Sequence, residues 1–202
     1  MWVYKLISFA FHPLLMSFIG TLLYLYLSPT YILRQQELVL LAIVFASTYL
    51  IPVVLLILLK RVNLIFDFHL RSIEERRFPI LFFILLSFLI GRTVYNIHIA
   101  DLLAFSFFGV AFGLSFTYLI FNLRIKTSLH TLGIGGLIGF VIIMSYEFQL
   151  NFNALLAGLF ILAGLIAMSR LALNAHNNRE VYLGFVLGLV SQFMSYQVYQ
   201  NM

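Results

Sequence analysis

Long apolar runs dominate the chain, and short polar breaks separate them. Uncharged or nearly uncharged runs lie at 6–33, 38–59, 78–99, 102–123, 127–146, 148–169 and 181–202. A membrane-spanning helix needs roughly 20 mostly apolar residues, and each run supplies that length. None alternates polar and apolar positions as a transmembrane strand does. The pattern predicts helices over about 6–30, 38–59, 78–99, 102–123, 127–146, 148–170 and 181–200. The run at 78–99 carries Arg92, whose long stem can snorkel to an interface, so the expectation is six to seven spans. The longest polar stretch, 60–77, reads as one loop with an amphipathic turn. The first run exceeds the roughly 7–15 apolar residues of a secretory signal and no small-residue cleavage pattern follows, so it is expected to be retained. The fold class expected is an all-α, polytopic integral membrane helix bundle, one domain over 1–202 with almost nothing outside the bilayer.

Composition narrows the function classes. The chain is 63% hydrophobic and 9% charged, with a mean hydropathy of +1.05. A soluble domain carries roughly 25% charged residues, so 12 basic and 7 acidic side chains cannot cover a soluble surface. Soluble enzymes, nucleic-acid-binding modules and disordered chains are excluded. Cysteine is absent, which removes disulfides, thiolate metal sites and a cysteine nucleophile. If all seven runs cross, the stretches 1–5, 60–79, 123–130 and 170–180 share one side. They hold Lys5, Lys60, Arg61, Arg71, Arg76, Arg77, Arg124, Lys126, Arg170 and Arg179, ten of the twelve basic residues. Only Arg34 and Arg92 fall elsewhere. The positive-inside rule would make that side cytoplasmic. An anion site built from converging loops would produce the same bias, and the two readings are compatible.

The same side carries His69, His130 and His176 with Asp67, Glu74, Glu75 and Glu180. In a helix, the four-residue spacing of His176 and Glu180 would set the carboxylate beside the imidazole. A carboxylate that accepts one ring N–H leaves the other nitrogen free as nucleophile or base. Arg170 adds a planar fork suited to phosphate oxygens. Imidazole, carboxylate and guanidinium at a membrane surface suit phosphoryl transfer from a lipid headgroup. Glu74 and Glu75 are expected to solvate a loop or pair with Arg71. His12-Pro13 reads as a kink with a satisfied imidazole or as a functional intramembrane residue. His98, Asp101 and Glu147 fall at the opposite end. Gly133, Gly135, Gly136 and Gly139 are expected to let helices approach closely, and Tyr24, Tyr26 and Tyr31 to form an interfacial belt.

Ser169-Arg170-(five)-His176-(three)-Glu180 resembles the third signature, SRxxxxxHxxx[D], of the type 2 phosphatidic acid phosphatase (PAP2) superfamily. Thr127-Ser128-Leu129-His130 is similar to the second, PSGH, and Glu75-Arg76-Arg77-Phe78-Pro79 loosely to the first, KxxxxxxRP. The order is that of the family, and the match covers roughly 60–188, with Gly184 and Gly188 following the third motif. The chain departs in three places. His69 and Leu70 stand where the first motif has lysine, Thr127 and Leu129 replace proline and glycine, and Glu180 replaces aspartate. Lys126 or Arg71 is the substitute cation.

The resemblance implies a PAP2-like core and a two-step hydrolysis. His176 would attack phosphorus, Glu180 would orient it, and His130 would protonate the leaving alcohol and later activate water. Arg170, one of Arg76 and Arg77, Lys126, Ser128 and Ser169 would hold the phosphoryl oxygens. No metal and no cofactor is implied. The substrate would be a lipid phosphate monoester or pyrophosphate of the phosphatidic acid, phosphatidylglycerol phosphate or polyprenyl type. The expected location is a bacterial inner (cytoplasmic) membrane, and bacterial relatives mostly work on its outer face. Two other readings stay open: a non-catalytic lipid-binding or structural protein with a decayed site, and a lipid-to-lipid phosphotransferase.

Overall fold

A computed structural model describes residues 1–68, 70, 72–98 and 100–201. All regular structure among them is helical: α1 (Trp2–Ala10), α2 (Pro13–Leu27), α3 (Arg34–Phe45), α4 (Ile51–Arg61), α5 (Ile73–Asn96), α6 (Asp101–Ile120), α7 (Leu129–Glu147), α8 (Asn153–Ala172) and α9 (Asn178–Gln200). A π-helical turn at Ala46–Leu50 joins α3 to α4, and a 3-10 turn at Phe121–Leu123 follows α6. Among the described residues, six helices are long and apolar enough to cross a membrane, or seven if the bent pair α1–α2 is one span. These spans mark an integral membrane protein.

Three spans differ from expectation for local reasons. The first run is two helices bent by 54°. His12 takes an extended backbone, Pro13 opens α2 where its missing N–H costs no bond, and His12 Nδ1 accepts from Leu14 N at 3.4 Å. The second run is one 28-residue rod, Arg34–Arg61, widened at the π turn. Pro52 has no N–H and its ring crowds the carbonyl four residues back, which is a standard cause of such a widening. The polar stretch at 60–77 is not all loop. Ser72 Oγ accepts from Glu75 N at 3.2 Å while Glu75 Oε2 accepts from Ser72 N at 3.2 Å. This reciprocal capping box starts α5 five residues before the apolar run and places Arg76 and Arg77 inside the helix.

α7 is the central span, 72% buried against 17–50% for the others. It packs on α9 where small residues bring backbones together: Gly135 against Phe185, Gly184 against Ser128 and Gly188 against Leu132. α6 lies against α5 and α9, α2 and α8 flank α7, and α1 lies along α8. Polar contacts lock the bundle: Gln192 Nε2 donates to Ser106 O at 3.1 Å and Ser195 Oγ to Phe105 O at 2.6 Å. Leu81, Leu85 and Phe88 on α5, and Ile161, Leu165 and Met168 on α8, stay exposed, as lipid-facing side chains do. At one end, Tyr196 OH donates to Glu147 Oε2 at 2.6 Å. The basic stretches gather at the other.

Candidate active site

The basic end is assembled by backbone bonds between distant segments. Ser128 N donates to Glu180 O at 3.1 Å, which ties the loop before α7 to the first turn of α9. Arg76 Nη1 donates to Thr127 O at 3.2 Å and its Nε to Leu70 O at 2.6 Å. Ser169 Oγ donates to Tyr4 O at 2.7 Å, so α8 holds α1. The four stretches that parity assigns to one side therefore meet.

His176 and Glu180 do pair, by a different route from the helix expected of their spacing. His176 precedes Asn177, the N-cap of α9, and Glu180 is the third residue of that helix. Asn177 Oδ1 accepts from Glu180 N at 3.0 Å, and Asn177 Nδ2 donates to Glu180 Oε1 at 3.3 Å. The other carboxylate oxygen lies 2.6 Å from His176 Nδ1. The helix N-terminus favours the carboxylate there. Burial pushes the His176 imidazole down to about 3, aided by Arg76, Lys126 and Arg170. The ring is neutral at pH 7, Nδ1–H donates to Glu180, and the lone pair is on Nε2. The side chain of His176 is 2% exposed, so the pair is fixed rather than fluttering in solvent.

Cations surround this pair. The fields of Arg76, Lys126 and Arg170 all act on His176. Lys126 is half-buried and pushed down from its ordinary value, first by burial and then by Arg76, with Glu180 opposing. Arg170 is underused: among the described residues its Nη1 donates to Ser8 Oγ at 2.6 Å, and its buried Nε has no partner. A guanidinium carries five N–H donors. His130 is buried at the start of α7, with Nε2 3.1 Å from Ser8 O.

Several expected contributors stand elsewhere. Arg77 turns away: its Nη2 donates to Asn122 Oδ1 at 3.4 Å and its guanidinium lies over the Tyr118 ring at 5.9 Å. The one-residue step along α5 separates the two arginines by about 100° around the helix. Ser128 and Ser169 are fully buried, and each hydroxyl is engaged within the protein. Ser128 Oγ caps α7, accepting from Thr131 N at 3.4 Å. His69 and Arg71 lie outside the described residues. His12 is both kink and neighbour of the site, its ring edge-on to His130 with centroids 5.4 Å apart. Ser8 carried no signal in the sequence, being one hydroxyl in an apolar run; only its spacing of four from His12 hinted at a shared face.

Other features lie apart. An apolar cleft of about 220 Å³ between α3 and the end of α5, lined by Ile32, Gln35, Val39, Ile43, Val94 and Ile97, is at the opposite end of the bundle. No group of three or more His, Asp or Glu arranged for a metal ion occurs among the described residues. Comparison with protein-family models, with curated proteins and with solved structures finds no match.

Proposed function

We propose that this protein is a PAP2-type lipid phosphatase, hydrolysing a phosphate monoester or pyrophosphate on a membrane lipid without a metal. One observation carries the reading. A neutral imidazole held through Nδ1 by Glu180 stands among three cations, one of which, Arg170, has a buried N–H without a partner. Excess buried positive charge beside a free imidazole nitrogen suits a phosphoryl group.

His176 Nε2 attacks the terminal phosphorus and forms the P–N bond as the P–O bond to the lipid alcohol, or in a pyrophosphate to the inner phosphate, breaks. His130 takes up the proton that a monoanionic phosphate ester carries and passes it to the departing oxygen. Glu180 stabilises the positive charge that develops on the His176 ring. Arg76, Lys126 and Arg170 neutralise the phosphoryl oxygens. In the second step water attacks phosphorus, His130 takes the water proton, the P–N bond breaks and orthophosphate leaves. Arg76 sits in the first turns of α5 and Arg170 in the last turn of α8, the depth of a lipid headgroup, while the tail stays in the bilayer. This placement and the few polar residues outside the spans support a lipid substrate.

The test is phosphate release by the detergent-purified protein, in EDTA, from phosphatidic acid, phosphatidylglycerol phosphate and polyprenyl mono- and pyrophosphates. The parent is expected to release phosphate from at least one of them, and His176→Ala to reduce release to background with unchanged elution. Background release by the parent from every lipid, with the fold intact, would replace the enzyme by a binding protein.

A further inference from the structure

The joint between α1 and α2 holds groups that the reaction above leaves unused. Ser8 is buried on α1 and meets His130 twice: its carbonyl lies 3.1 Å from Nε2 and its hydroxyl 3.3 Å from the same atom. The hydroxyl also accepts from Arg170 Nη1 at 2.6 Å. A carbonyl only accepts, so His130 Nε2 carries the hydrogen and the neutral ring keeps its lone pair on Nδ1. His12, four residues on, packs edge-on to the same ring. The imidazole of His130 is thus gripped at one nitrogen and on one face by a segment that no motif includes.

We infer that Ser8 is a positioning residue of the site: its carbonyl selects the Nε2–H tautomer of His130, and its hydroxyl holds the Arg170 fork in register with that ring. The inference rests on the phosphatase reading and deepens it. Proton exchange with the substrate then runs through His130 Nδ1. Ser8 itself does not touch phosphorus. It fixes the separation between the group that moves protons and the cation that binds the phosphoryl oxygens, and catalysis depends on such separations being held before substrate arrives. The hydroxyl is the one hydrogen-bond acceptor that Arg170 has among the described residues, so removing it frees the guanidinium to swing.

Ser8→Ala removes the hydroxyl and keeps the carbonyl; Ser8→Thr restores the hydroxyl. Orthovanadate affinity of the detergent-purified protein, read by calorimetry, reports the anion site without turnover. Ser8→Ala is expected to weaken vanadate binding and raise KM by about tenfold, the scale of one hydrogen bond to a charged group, with the melting temperature preserved. Ser8→Thr is expected to recover both. Histidine ¹⁵N spectra of the parent are expected to show His130 protonated at Nε2. Parent-like vanadate affinity and KM in Ser8→Ala, or an Nδ1–H tautomer of His130, would overturn the inference while leaving an active parent enzyme. A parent that neither binds vanadate nor releases phosphate would overturn the phosphatase reading, and this inference with it.

Discussion

Glu180 joins two structures in one turn: it caps α9 through Asn177 and it holds His176 Nδ1 at 2.6 Å. Glu180→Gln keeps the size and removes the charge that, on the proposed mechanism, stabilises the imidazolium in the transition state. A kcat loss on the order of 10²- to 10⁴-fold is expected, with KM little changed, by analogy with the orienting carboxylate of serine hydrolases. A kinetic comparison with parent-like kcat would sink the assigned role. His176, pushed down to about 3 mainly by burial, gives a second expectation with a definite sign. Its unfolded-state value is about 6.5, so the folded protein resists its protonation. Stability from this group is complete above pH 6.5 and is lost as pH falls from there toward 3. An NMR titration of labelled histidine should keep His176 neutral at pH 5; a midpoint near 6.5 would contradict the burial argument. The two adjacent arginines should separate: Arg76→Ala weakens vanadate binding, whereas Arg77→Ala, remote from the site, leaves it near the parent value. That His176, Glu180, Arg170 and His130 fall at the same end of the bundle was legible from spacing and residue type. The partners of Arg170 and His130 were not, because a lone serine such as Ser8 breaks no pattern, and the sequence does not record that the Ser128 and Ser169 hydroxyls bond within the protein.

At the scale of the elements, lipid makes spans easy to locate and their ends hard. Apolar runs found each span because a bilayer demands about 20 apolar residues. Helix ends depend instead on caps, and Ser72 with Glu75 starts α5 inside a polar stretch. The His12-Pro13 bend and the π turn before Pro52 are likewise local backbone events that hydropathy does not record. The crossing of α7 and α9 sets the site, since it brings His130 and the His176–Glu180 turn together through Ser128 N and Glu180 O. Its glycines therefore carry a prediction. A Cβ at Gly135, Gly184 or Gly188 meets partner backbone, while one at Gly158 or Gly164 meets nothing within 4 Å. Alanine at any of the first three should cost about 1–3 kcal/mol or more, since backbone cannot step aside as a rotamer does. Alanine at the other two should leave the melting temperature unchanged or raised. Thermal unfolding in detergent measures both; equal effects at Gly188 and Gly158 would contradict the packing.

For the whole molecule, counting the bent α1–α2 pair as one span gives seven crossings among the described residues, an odd number that would gather the basic loops and the candidate site at one end. The proposal that follows from the positive-inside rule is that this end faces the cytoplasm. The chain has no cysteine, so single cysteines at Arg124 and Gln149 offer a clean topology assay in intact cells. Labelling by an impermeant maleimide is expected at Gln149→Cys and not at Arg124→Cys, and the reverse pattern would place the site on the outer face. Orientation was only half legible in the sequence, because the charges that read as topology signals also surround His176. The central claim, a phosphoryl group carried on His176, is tested most directly by trapping it. The purified protein would be mixed with ³²P-labelled phosphatidic acid, or whichever lipid phosphate the panel selects, and quenched within the first turnover. The account predicts label on the parent that survives alkali and is lost in mild acid, as a phosphorus–nitrogen bond requires, and none on His176→Ala. Phosphate release by the parent with no trapped label in a rapid quench, or equal label on both proteins, would contradict it.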